Sequence, residues 1–116
     1  MQVIANCDLC LNPYPFGNCN GIVDCLLNGV VGVCMRGPYL FESIDQALYR
    51  RLGLPDWLIA SDEASYISAA IRLITDNALR LHLYSQFGTV DSLRVLHQGN
   101  ESGLSAKLLA LISSLP

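Results

Sequence analysis

The segment Asn12-Pro-Tyr-Pro-Phe-Gly-Asn-Cys-Asn-Gly-Ile-Val-Asp24 gathers residue types that suit an anion. Asn18 and Asn20 carry side-chain amides at what reads as the start of a helix. There, unpaired backbone N–H groups and the helix dipole already favour negative charge. Gly17 and Gly21 let the backbone bend and approach a ligand closely, and two prolines stiffen the turn. A diphosphate needs donors, which Asn18, Asn20 and the N–H groups around Gly21 supply. Asp24 follows one turn later, better placed to accept from sugar or ribose hydroxyls than to meet phosphate. A strand, a Gly/Asn turn and a helix mouth are the parts of a phosphate site in an α/β protein. A plainer reading stands beside this one, with Asn18 and Asn20 as helix caps and Asp24 as an acid that suits the dipole. The residue types alone leave both open.

The other reactive side chains are less suggestive. Cys7, Cys10, Cys19, Cys25 and Cys34 make an odd count, so complete intrachain pairing is impossible. Cys7 and Cys10 form a C-x-x-C, yet a redox pair should open a helix, and this one lies in an apolar run that leads into Asn-Pro. Zinc would want two close pairs or histidine partners, and Cys19 and Cys25 are badly spaced for a second pair. Free thiols, mostly buried and acting as small apolar residues, are the expectation. His82 and His97 lack a base-and-orienter pair nearby and read as solvated. Trp57 opens an apolar strand and reads as a packing residue rather than a sugar platform.

Short apolar runs alternate with helical patterns. A strand is expected from Asp8 to Leu11, pointing into the Gly/Asn turn, and a helix from Gly21 to Asn28, closed by Gly29. The run Val30-Val-Gly-Val-Cys-Met35 suits a buried parallel strand. Ser43-Ile-Asp-Gln46 fits a capping box for a helix with Ile44, Ala47, Leu48 and Leu52 on one face, ended by Gly53 and Pro55. Trp57 to Ala60 is a short strand. Ser61 or Asp62 then caps a long helix carrying Tyr66, Ile67, Ala70, Ile71, Ile74, Ala78 and Leu81 at helical spacing, and Gly88 breaks the pattern. Thr89 to Ser102 reads as mostly irregular, and Leu104, Leu108, Leu111, Ile112 and Leu115 line a last helix. This order is the βαβ pattern of a parallel sheet with helices on both faces. Only about three strands are available where a doubly wound domain usually has about five or six. The chain thus reads as a single, incomplete Rossmann-like domain over residues 1–116, the later half of a nucleotide-binding domain.

Composition narrows the class. The chain has 116 residues, 52% hydrophobic, enough for one domain with a core. Charged residues make up 15%, below the roughly 25% of typical soluble domains, which suits either apolar surface that expects a partner or a well-packed small domain with a plain polar surface. A net charge of −3 with no basic run argues against nucleic acid. No stretch reaches the ~18 apolar residues of a membrane helix, and the first residues lack a signal peptide's basic start, so a cytoplasmic location is the default expectation.

Pro15-Phe-Gly-Asn-Cys-Asn-Gly-Ile-Val-Asp24 resembles the donor-site signature of the bacterial cytoplasmic N-glycosyltransferases that modify adhesins, relatives of the O-GlcNAc transferases. The resemblance continues through Leu26-Leu-Asn-Gly-Val-Val-Gly-Val-Cys34 and Arg51-Leu-Gly-Leu-Pro-Asp-Trp-Leu-Ile-Ala60, and weakens after about Gly99. It implies the C-terminal, donor-binding portion of a GT-B fold and inverting, metal-independent transfer of a hexose from a UDP-sugar to Asn, or to Ser or Thr, of an acceptor protein. It implies donor contacts at Asn18, Cys19, Asn20, Gly21 and Asp24, with Asn20 on the diphosphate, Asp24 on the ribose, and Asn18 and Gly21 shaping the turn. The family usually has Thr where this chain has Cys19, and a thiol is a much weaker donor than a hydroxyl. The family's lysine that grips the phosphates and its acceptor side lie upstream, so no catalytic residue is expected here, and a missing N-terminal half or a partner chain would complete the cleft. Two rivals remain: a non-catalytic interaction module that dimerises through exposed sheet edges, and a small α/β nucleotide binder unrelated to sugar transfer.

Overall fold

A computed structural model describes residues 3–87 and 90–115. Three parallel strands form its centre: β1 (Cys10–Leu11), β2 (Gly32–Met35) and β3 (Ile59–Ala60), in spatial order β1-β2-β3. Cys10 pairs with Gly32 and Cys34 with Ile59, which fixes the register. Helix α1 (Asn20–Leu27) joins β1 to β2, and α2 (Ile44–Arg51) joins β2 to β3. Two right-handed crossovers in the same direction put α1 and α2 on one face. Cys10 and Gly32 meet Ile22, Cys25 and Leu26 of α1 and Tyr49 of α2 there, around a cavity of only about 10 Å³. Strand alternation turns Val33 to the opposite face. Val33 is fully buried, and α3 (Glu63–Thr75) packs across β2 and β3 to cover it.

The elements follow the expected order, with shorter strands. Asp56–Leu58 forms a 3₁₀ turn, which leaves only Ile59–Ala60 of the expected third strand. The Asp62 carboxylate caps α3, accepting from the Ser65 N–H at 2.7 Å, and this bond holds its carboxyl below the usual range. The long helix expected to run on to Leu81 is instead two, α3 and α4 (Asn77–Phe87). The break has a side-chain cause. The Arg80 guanidinium donates to the last carbonyls of α3, at Leu73 and, at 2.9 Å, at Ile74. The Asp76 carboxylate accepts from the Leu79 N–H at 2.9 Å and starts α4. The residues expected to be irregular hold α5 (Val90–His97), whose end is closed by Arg51 of α2 donating to the carbonyls of Val95 and Gln98. The break expected at Gly88 and the start of that segment at Thr89 lie outside the described residues.

The core joins Leu58, Leu73, Val33 and Cys34 with Ile22, Leu26, Tyr49, Ile59 and Leu83. Trp57 packs against it, half-buried, with the Arg72 guanidinium 4.2 Å from its ring centre. Helix α6 (Glu101–Ser113) lies outside this core, and its leucines are exposed. The radius of gyration, 16.1 Å, exceeds the ~13 Å of a compact chain of this length accordingly. Among the described residues, no helix is long and apolar enough to cross a membrane.

All five cysteines are free. Only Cys25 and Cys34 are fully buried, and burial pushes each thiol up to about 12. Cys7 and Cys19 are exposed, against the expectation of mostly buried thiols, because each lies in a connection outside the helix–sheet interface. N-ethylmaleimide at neutral pH and at pH ~9 should therefore modify Cys7 and Cys19 and spare Cys25 and Cys34, since thiolate is the reactive form; peptide mass mapping before and after denaturation checks this. Leu73→Ala, at a side chain with no exposed surface, should cost about 2–5 kcal/mol in denaturant melts, whereas Leu109→Ala on exposed α6 should stay within about 0.5 kcal/mol.

Candidate functional site

The carboxyl ends of β1 and β2 open onto two connections, residues 12–19 and 36–43. In a parallel sheet this is the edge where ligands lie. Asn12, the first residue beyond β1, is 2% exposed and organises the junction. Its side-chain amide donates to the Tyr49 hydroxyl at 3.2 Å and accepts from Asn18 Nδ2 at 3.3 Å and from the Cys10 thiol at 3.1 Å. Its carbonyl accepts from the Tyr66 hydroxyl of α3 at 2.9 Å. One residue thus links β1, α2, α3 and the turn.

Two carboxylates from the second connection and the start of α2 hold the turn. Glu42 accepts from the Tyr14 hydroxyl at 2.8 Å and from the Tyr39 N–H at 3.0 Å. The first of these bonds raises the Tyr14 pKa. Asp45, in the first turn of α2, accepts from the Asn18 N–H at 2.9 and 3.1 Å and from the Cys19 N–H at 3.0 Å. Gly17 lies directly against this carboxylate: a Cβ there would sit 2.6 Å from it, and Gly17 also has φ +71°, the left-handed region. Cys19 has φ +38°, a value rare for a residue with a side chain.

The five residues expected at a donor site are together at this mouth, in different postures. The Asn18 side chain points inward, donating to Cys10 Sγ at 3.4 Å and to Asn12. Its backbone N–H and that of Cys19 are spent on Asp45. Gly21 N–H donates to the Asn18 carbonyl at 2.7 Å and Ile22 N–H to the Cys19 carbonyl at 3.1 Å. The Asn20 N–H is left without a backbone acceptor among the described residues, and the Asn20 side chain is exposed. Cys19 is the N-cap of α1 and forms no side-chain cap, so neither asparagine caps the helix. Asp24 is half-buried one turn in, and its carboxylate takes no hydrogen bond among the described residues. His82 and His97 are exposed on α4 and α5, away from this mouth.

Asn12, Glu42 and Asp45 were not singled out from the sequence. Asp45 sits inside Ser43-Ile-Asp-Gln46, whose spacing suits a capping box. In the structure Ser43 makes no cap bond; its hydroxyl donates to the carbonyls of Gly37 and Tyr39, because the 3₁₀ turn Leu40–Glu42 brings those within reach. The role of Asp45 depends on contacts 26 and 27 residues away in sequence, and no local spacing signals them. Next to the turn, Phe16, Phe41 and Tyr39 form an exposed stack, with ring centres 5.5 and 5.7 Å apart.

No protein-family model matches the chain. It is 42% identical over 100 residues to the UDP-glucose:protein N-beta-glucosyltransferase of Actinobacillus pleuropneumoniae, in serotype 5b (strain L20) and in serotype 7 (strain AP76) alike. The match covers 86% of this chain and 16% of each relative. The fold matches a mutant of the Thermobaculum terrenum O-GlcNAc transferase with a TM-score of 0.72, at 22% identity, over 96% of this chain and 21% of that one. The mixed α/β structure with its three-stranded parallel sheet is therefore part of a GT-B fold. The kinship with the adhesin N-glycosyltransferases, expected from the segment that ends at Asp24, is present in sequence, and the chain spans about 16% of those relatives' length.

Proposed function

We propose that this chain forms the UDP-sugar-binding part of an inverting glycosyltransferase that moves a hexose, of glucose or N-acetylglucosamine type, onto Asn or Ser/Thr of acceptor proteins in the cytoplasm. The observation that carries the reading is the 42% identity to protein N-glucosyltransferases. The geometry supports it: the turn of the resembling segment lies at the carboxyl edge of the sheet, with an exposed amide side chain and an unspent N–H at Asn20. In this reading Asn20 contacts the diphosphate and Asp24 the ribose, while Asn18, Cys19 and Gly21 shape the turn. The thiol of Cys19 donates weakly, which lowers affinity without removing the site. Transfer is metal-independent, and no residue of this chain serves as the catalytic base; the remaining groups of the cleft come from elsewhere in the enzyme or from a partner chain.

UDP added to the isolated protein should shift the backbone amide resonances around Asn18–Asp24, with UDP preferred over ADP and GDP. Asn20→Ala should weaken UDP roughly tenfold, the loss of one hydrogen bond to a charged group. An unperturbed turn at millimolar UDP would overturn the reading, and equal affinity for all three nucleotides would favour a generic nucleotide binder.

One observation favours a second reading, a non-catalytic module that self-associates. Leu104, Leu108 and Leu111 lie at spacings of four and three along α6, and all are exposed. Light scattering should then show a dimer that Leu108→Glu returns to monomer; monomer alone at every concentration would sink this reading.

A further inference from the structure

We propose that Asp45 is a positioning residue for the turn: its carboxylate sets the backbone at Asn18 and Cys19 so that Asn20 faces a nucleoside diphosphate. This deepens the reading above and rests on it. Asp45 is 3% exposed and has no ion-pair partner among the described residues. A buried charge so placed must be met by hydrogen bonds or dipoles. Two backbone N–H groups of the turn meet it, and the positive end of α2, where it sits, adds to them. Burial chiefly raises the pKa of the neighbouring Cys34, Tyr49 and Tyr66, and the Asp45 carboxylate adds a smaller push in the same direction.

Glu42 holds the Tyr14 end of the loop and Asn12 the Asn18 side chain, but the backbone at Cys19 is held by Asp45. Cys19 adopts φ +38° without a side-chain cap, and such a conformation persists only when its surroundings over-determine it. With the carboxylate in place, the N–H groups of Asn18 and Cys19 point into the protein, and the next residue, Asn20, turns outward. Without it, both N–H groups lose their acceptor, and Cys19 can relax to an ordinary φ. Two effects then compete on a diphosphate. Repulsion by a nearby carboxylate would weaken binding, so its removal would tighten it; a lost turn geometry would weaken binding. Geometry prevails, because the carboxylate is engaged by N–H groups on the side facing the turn and shielded from solvent.

The test compares UDP affinity of the wild-type chain with Asp45→Asn and Gly17→Ala, by calorimetry or amide NMR, at a temperature where circular dichroism shows each folded. Asp45→Asn removes the charge and one acceptor oxygen. Gly17→Ala keeps the charge but displaces the carboxylate with a Cβ, and it carries the test where Asp45→Asn does not fold. Both should weaken UDP by roughly tenfold or more and speed amide exchange at Asn18 and Cys19. Leu73→Ala, destabilised in the core away from the turn, should keep wild-type affinity; if it lost affinity as Asp45→Asn does, Asp45 would act through stability alone and the inference would fall. Wild-type or tighter UDP binding by Asp45→Asn, or by Gly17→Ala where only it folds, overturns the inference while the functional reading stands. A wild-type chain that does not bind UDP overturns both.

Discussion

The buried carboxylate of Asp45 is the constraint on which the mouth of this protein depends. It holds two N–H groups of a turn that follows β1, yet it is rooted in the helix that follows β2. Two crossover connections are therefore tied at one point. The tie forces Gly17 to be glycine, since any side chain there would meet the carboxylate, and it holds Cys19 in a conformation that a non-glycine residue rarely adopts. Glu42 repeats the device at the other end of the loop through the Tyr14 hydroxyl. An acidic connection thus grips a loop that was expected to meet an anion. The signs are compatible because the turn's inward N–H groups serve the carboxylate, which leaves outward groups for a ligand.

Below the mouth the sheet is small, and helices do much of the work of burial. β1 and β3 have two residues each, so ladder bonds contribute little, and the core rests on β2 sandwiched between the α1–α2 face and α3. Asn12 carries the structure from that core to the mouth, with polar contacts to α2, α3 and the turn. A polar residue so deep is tolerated because each of its groups finds a partner. The same economy closes helix ends at a distance: Arg80 caps α3 and Arg51 caps α5.

Much of this order is legible in the sequence. The apolar runs and the glycine after α1 mark β1, α1, β2 and α2 within a few residues, because period and local breakers carry that information. The segment from Pro15 to Asp24 marks the mouth. What periodicity misses is where a helix is interrupted by a side chain. The pattern from Tyr66 to Leu81 stays helical in phase across Asp76, so periodicity does not show that Arg80 folds back and ends α3. Helix α5 is missed for a related reason, as part of what holds its end is Arg51, far away in the chain.

By itself the sequence determines the class of fold, the βαβ alternation of a parallel sheet and the segment that forms the mouth, since these follow from local pattern and from a short run of residue types. It also determines the kinship with protein glycosyltransferases. Only the tertiary structure decides how the mouth's groups are shared out: Asn18 turned inward, Asn20 outward, and the N–H groups of Asn18 and Cys19 spent on Asp45. The physical reason is that hydrogen-bond partners are chosen by distance in space. A carboxylate more than twenty residues away claims donors that the chain's own order offers to a ligand.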